Sequence, residues 1–89
     1  MSEKINQGKV MDMLTNAFST SEIDTLAFDL FPQIYGDFAG GMSKIERIRT
    51  IVQFAVNQGQ VEAILKYVQR HNPYQYNRFA PDIFNNDSD

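Results

Sequence analysis

The sequence predicts an all-α fold, a compact antiparallel bundle of five to six short helices. The first observation behind this prediction is a pair of Ser-x-x-Glu capping boxes, at Ser19 with Glu22 and at Ser43 with Glu46. In such a box the Ser hydroxyl accepts from the N3 amide, and the Glu carboxylate accepts from the cap amide. The second is that apolar residues recur at i, i+3, i+4 and i+7 in several segments. The third is that no segment shows the two-residue alternation of a strand.

The first two helices are predicted on either side of a capping box. Apolar residues near helical spacing predict a helix from about Glu3 to Ala17. The second helix begins after cap Ser19, carries an apolar stripe from Ile23 to Leu30, and ends before Pro32, because the residue preceding a proline is pushed out of the α region. Phe28 lies beside the stripe and is expected to widen its apolar face.

Residues 32–42 are predicted to form an irregular connector with one short helical turn within 33–38. Its apolar side chains Ile34, Tyr35 and Phe38 are expected to anchor the connector to the core. A glycine pair just before the next cap is expected to act as a hinge.

The third long helix is predicted from cap Ser43 to about Gln58, and the next from Gln60 to about His71. Gly59 between them is a natural C′ residue, because glycine adopts a left-handed backbone without a Cβ clash. A link this short folds the two helices back on each other. The apolar stripe of the earlier helix consists of Ile45, Ile48, Ile51, Val52, Ala55 and Val56.

The C-terminal region is predicted to contain one more short helix, from about Pro73 to Phe79, because proline is favoured at the first helical position. Residues 1–84 are expected to form a single helical domain, since 89 residues are too few for two. The last five residues, 85–89, are expected to be a disordered acidic tail.

Composition excludes several classes of protein. The chain has no cysteine, which rules out disulfides and thiolate metal sites. No apolar run approaches the roughly 18 residues that span a bilayer, and no signal-peptide pattern begins the chain. We therefore expect a cytoplasmic protein that does not bind membranes. The net charge of −3 argues against a general nucleic-acid binder.

No constellation of residues indicates catalysis. His71, the single histidine, has no carboxylate at metal-ligand spacing and is interpreted as a helix C-terminal residue that interacts with the last carbonyls. Ser19 and Ser43 are accounted for as caps, and the chain has neither a Gly-x-Ser-x-Gly elbow nor a phosphate loop. We therefore expect no enzymatic activity, no cofactor and no metal site.

Charge is distributed unevenly along the chain. Residues 1–42 carry two basic and six acidic side chains, whereas residues 43–72 carry five basic and two acidic ones. Three interpretations are open: a surface that complements a partner or a second copy, a face that is solvated or paired within the chain, and nucleic-acid binding through the basic helix. The candidate interaction residues are Asp24, Asp29, Asp37, Lys44, Arg47 and Arg49.

Several motifs follow one another in a distinctive order. They are Phe18-Ser19-Thr20-Ser21-Glu22-Ile23 with Leu26, Phe28-Asp29-Leu30, Lys44 with Arg47 and Ile51-Val52, Gln58-Gly59-Gln60-Val61 with Ile64-Leu65, and His71-Asn72-Pro73. This order, over about residues 5–73, resembles the bacterial death-like domains, one of the effector-associated domain families of prokaryotic conflict and immunity systems. Ala27 departs from the family's frequent Cys, and Gln58 and Gln60 replace the Arg residues that flank its glycine.

The resemblance implies a death-fold-like bundle of about six helices and an adaptor function. In that family, homotypic pairing brings an effector, such as a protease or a pore-former, to a sensor such as a nucleotide-binding ATPase. The implied partner is therefore another death-like domain, either on a second copy of this chain or on an effector or sensor. The alternative function is a small nucleic-acid-binding regulator that uses the basic helix 43–58.

Overall fold

The computed structural model describes residues 5–38 and 40–84, and this part of the chain is a small all-helical bundle without strands. The predicted fold class is therefore confirmed. Glu3, where the first helix was expected to begin, and the tail 85–89 lie outside the described residues. The helices are α1 (Gln7–Ala17), α2 (Thr20–Leu30), α3 (Pro32–Tyr35), α4 (Lys44–Gln58), α5 (Val61–His71) and α6 (Pro73–Phe84).

Both predicted capping boxes are present and set the starts of α2 and α4. The Ser19 amide donates to Glu22 Oε1 at 2.8 Å, and the Glu22 amide donates to Ser19 Oγ at 3.2 Å. At Ser43 and Glu46 the corresponding distances are 2.8 and 3.1 Å. Each box satisfies two backbone donors that a helix start leaves without an intrahelical partner.

The turn between α4 and α5 is made by the expected glycine. Gly59 has φ of 67°, in the left-handed region that favours glycine. The amide of Gln60 then donates to the carbonyl of Ala55 at 2.7 Å, which closes the end of α4. The chain therefore reverses within two residues, and α5 packs beside α4.

Two helix ends differ from the prediction. The first helix begins at Gln7, because the side chain of Asn6 caps it and accepts from the Lys9 amide at 3.1 Å. The last helix continues through Pro81 to Phe84 and does not stop near Phe79. Tertiary contacts explain this extension, since Ile83 is fully buried and its carbonyl accepts from the Asn6 amide at 3.1 Å.

The core draws side chains from all six helices, with the largest contributions from α1, α2, α4 and α5. The first helix packs mainly on α6 and α4, while α2 packs on α3 and α4. The predicted stripe of α4 is buried at its centre, but Ile45 and Val56 at its two ends are 49% and 37% exposed. The stripe is therefore covered by neighbouring helices at its centre and exposed at both ends.

Candidate protein-interaction surface

The six candidate residues lie on two elements and one loop. Asp24 and Asp29 are on α2, and Asp37 follows α3. The three cations, Lys44, Arg47 and Arg49, are on α4. The fold does not gather them into two opposed charged faces, because several are paired within the chain.

Arg47 and Asp24 join α4 to α2. Nη1 of Arg47 donates to both carboxylate oxygens of Asp24, at 2.7 and 2.6 Å. Its Nε donates to the Met42 carbonyl at 3.1 Å, and the guanidinium carbon lies 5.8 Å from the ring centre of Phe38. The side chains of Arg47 and Asp24 are only 13% and 29% exposed. The interpretation in which this charge is paired within the chain therefore holds for Arg47.

Lys44 is also engaged inside the molecule. Its Nζ donates to the carbonyl of Thr15 at 2.8 Å, which ties the start of α4 to α1. A nucleic-acid surface needs several free cations on one face. Of the three that the sequence indicated on α4, only Arg49 remains exposed without a described partner. The geometry therefore gives the nucleic-acid alternative no support.

Asp29 contacts α5 through a tyrosine. The Tyr67 hydroxyl donates to Asp29 Oδ2 at 3.0 Å. Burial, together with the hydrogen bond to Asp29 and the negative charge of that carboxylate, raises the pKa of Tyr67 to about 12. The neutral phenol is therefore the form that the fold favours. Asp37, by contrast, is exposed at the end of the short α3 turn.

An exposed aromatic pair was missed from the sequence. Phe28 is 58% exposed and Tyr35 is 42% exposed, so the expectations that the first widens the apolar core face and that the second anchors the connector are wrong. Their rings meet edge to face, with centroids 5.4 Å apart. The pair borders a surface depression of about 430 Å³ that is also lined by Ser21, Asp24 and Thr25. We call Phe28 and Tyr35 the aromatic patch.

A signal for this patch was present in the sequence. Phe28 lies off the stripe formed by Ile23, Leu26 and Leu30, and a large apolar residue off the stripe needs a neighbouring element to cover it. The next element, α3, has only four residues. Its buried side chain is Ile34, and Phe28 remains 58% exposed.

Comparison with protein-family models matches residues 10–73 to effector-associated domain 7. The chain belongs to the effector-associated domain 7 family. This confirms the resemblance to an effector-associated domain, and the family name points to a domain that accompanies effectors. No curated protein and no solved structure matches the chain.

The matched region of this effector-associated domain contains all six candidate residues, but it stops at the first residue of α6. That helix nevertheless belongs to the same packed unit, because Ile83 is fully buried and α6 is the main neighbour of α1. The folded unit is thus larger than the matched segment.

Two other features of the effector-associated domain bear on chemistry. His71 is the last residue of α5, and its ring stacks on that of Tyr67 with centroids 4.2 Å apart. Within residues 5–38 and 40–84, no three His, Asp or Glu side chains come together as a metal site would require. No helix in the same residues is long and apolar enough to cross a membrane.

Proposed function

We propose that this effector-associated domain is a non-enzymatic interaction module. It associates with another domain of its own kind, on a second copy or on a larger protein, and so couples a sensor to an effector in bacterial immunity or programmed cell death. The family assignment supports a domain that works beside an effector. The homotypic partner and the coupling are our proposal, based on the surface described below.

The observation that carries the proposal is the aromatic patch. Large aromatic side chains on the surface, next to a depression and ringed by polar residues, are typical of protein-binding sites. Phe28 is more than half exposed, yet it is held in place by its edge-to-face contact with Tyr35. A rigid aromatic side chain of this kind loses little conformational entropy when a partner covers it.

Exposed charge elsewhere on the surface supports the choice of a partner. Asp29 and Asp37 are exposed on the α2–α3 side, and Arg49 is exposed on α4. A chain that displays free charges of both signs on separate elements complements a second copy of itself. Because Asp24 and Arg47 are paired with each other, Asp29, Asp37 and Arg49 are the candidate charges that remain exposed for contact with a partner.

Light scattering across a concentration series tests the proposal. We expect the wild-type domain to gain mass with concentration and Phe28→Ala to weaken self-association about tenfold or more, since a buried aromatic anchor contributes about 2 kcal/mol at an interface. Tyr74→Ala is the matched control, because Tyr74 is an even more exposed aromatic residue, at 73%, outside the patch.

Three results bear on the outcome. A wild-type domain that stays monomeric at every concentration contradicts homotypic association. Equal losses for Phe28→Ala and Tyr74→Ala contradict the aromatic patch as the site. Thermal unfolding of both variants checks that each remains folded, which we expect because neither side chain is in the core.

A further inference from the structure

A second surface feature, distinct from the aromatic patch, is a groove between α2 and α5. It has a volume of about 340 Å³ and combines aromatic and acidic side chains. The rings of Phe18, Tyr67 and His71 line it, and the carboxylates of Glu22 and Asp29 lie at its edge. We call this feature the α2–α5 groove.

Asp29 is held in position within the groove. Tyr67 donates to Oδ2 at 3.0 Å, and Oδ1 has no hydrogen-bond partner in the described part of the chain. The Tyr67 ring is itself packed against two other rings, Phe18 in an edge-to-face contact at 6.1 Å and His71 at 4.2 Å between centroids. One carboxylate oxygen is thus fixed and the other is free to accept. A ligand that binds there meets a preorganised acceptor and orders few side chains.

The chemistry of the groove matches a guanidinium group. A carboxylate accepts charge-assisted hydrogen bonds from the guanidinium nitrogens, and an exposed aromatic ring, here that of His71, stacks on the planar, weakly hydrated guanidinium. An ammonium group makes the first kind of contact but not the stacking. The walls and the acceptor together therefore favour an arginine side chain.

Arg49 is available for an intermolecular contact. It is exposed, with no hydrogen-bond or ion-pair partner among residues 5–38 and 40–84. On a helix it lies about 160° round from Arg47, and Arg47 reaches α2. Arg49 therefore points away from α2 and cannot reach Asp29 of the same chain.

We propose that the α2–α5 groove binds Arg49 of a second copy of this chain, an inference that rests on the proposed self-association. Each copy then presents the groove on one side and the arginine on another. Such a contact is head to tail and leaves one free groove and one free arginine in every pair. Repetition of the contact yields a ring or an open chain of copies, in contrast to a closed twofold dimer.

Variants that remove one charge and keep a side chain of similar shape test the contact. Asp29→Asn keeps an oxygen for the Tyr67 hydroxyl, and Arg49→Gln keeps a polar side chain on an exposed helix position. We expect each to weaken self-association about tenfold, and the wild-type association to weaken with added salt. Asp12→Asn and Lys66→Gln are controls with the same changes in net charge at exposed positions outside the groove. They are expected to change association less than about twofold.

A mixing experiment tests the head-to-tail geometry. The Asp29→Asn chain retains Arg49, and the Arg49→Gln chain retains its groove, so one native contact can form between them and no further copy can add with full strength. We expect an equimolar mixture to form a one-to-one pair under conditions in which each variant alone is monomeric.

The outcomes separate this inference from the proposed function. Self-association that is unchanged in both variants, or a mixture with no more mass than its components, overturns the groove contact but leaves homotypic association standing. A wild-type domain that never associates overturns both. Unfolding curves that match the wild type show that any loss of association comes from the surface and not from the fold.

Discussion

The two sides of α4 differ in how their side chains are used. On the side that faces α2 and the core, Ile48 is buried and Arg47 is bound to Asp24. Arg49 is exposed on the side away from α2, and Ile45, at the N-terminal end of the apolar face, is 49% exposed. Ile45 with Ile48 and Arg47 with Arg49 thus form two pairs of like residues, in each of which one member is packed in the fold and the other is exposed. The difference shows that residue type alone does not distinguish a charge that is paired in the fold from one that is exposed.

The largest contrast is expected between the two isoleucines. Ile48→Ala removes a side chain that is 1% exposed and leaves a cavity, so we expect a loss of about 2–5 kcal/mol in the free energy of unfolding. Ile45→Ala changes a half-exposed side chain at the start of the helix, and we expect a loss below about 1 kcal/mol. Urea unfolding followed by circular dichroism measures both. Similar losses would mean that Ile45 contributes to the core as much as Ile48 does, in spite of its exposure.

The two arginines sharpen the comparison. Arg47→Ala removes charge-assisted hydrogen bonds to Asp24 and to the Met42 carbonyl, and leaves a partly covered carboxylate unpaired. We expect a loss of about 2 kcal/mol in unfolding free energy. Arg49→Ala is expected to change it by less than about 0.5 kcal/mol.

A double-mutant cycle assigns the effect of Arg47 to the pair. Once Asp24→Ala is in place, Arg47→Ala is expected to cost clearly less than it does alone. If the two losses simply add, the ion pair contributes nothing and Arg47 acts through its other contacts.

Alkaline unfolding extends the comparison to the α2–α5 side. The pKa of Tyr67 is about 12 in the folded chain, above its ordinary value of 10.0, because the fold disfavours the phenolate. Its contribution to stability is therefore fully present below pH 10 and is lost as the pH rises through 12. We expect the advantage of the wild type over Tyr67→Phe to shrink by roughly 1–2 kcal/mol over that range, less than the whole shift implies because solvent reaches the groove. An advantage that does not change with pH would contradict this assignment.

The predictable parts of the fold are those that depend on near neighbours in the chain. A Ser-x-x-Glu box requires only residues three apart, so the starts of α2 and α4 follow from the sequence. Pro32 and Gly59 act on their adjacent backbone in the same way. The end of α6 at Phe84 was mistaken because it depends on packing between α1 and α6, which local patterns do not contain; the start of α1 follows from the local Asn6 cap, which was missed from the sequence.

For the candidate site, the sequence predicted the residue types but not which of them contact each other. The sequence shows that Arg47 is basic and Asp24 acidic, but their pairing depends on how α2 and α4 pack against each other in space. Helical periodicity likewise places Phe28 on a face of α2, but it does not indicate whether the next element extends far enough to cover that side chain. Only the structure shows that α3 ends too early to cover it.

The pairing of α1 with α6 has a consequence for synthesis of the protein. The principal neighbour of α1 is α6, which is synthesised more than fifty residues later, and the carbonyl that accepts from Asn6 belongs to Ile83. While the ribosome is still adding α5, the apolar face of α1 lacks this partner. Native packing of the N-terminal helix must therefore wait until the last turn of α6 has left the exit tunnel.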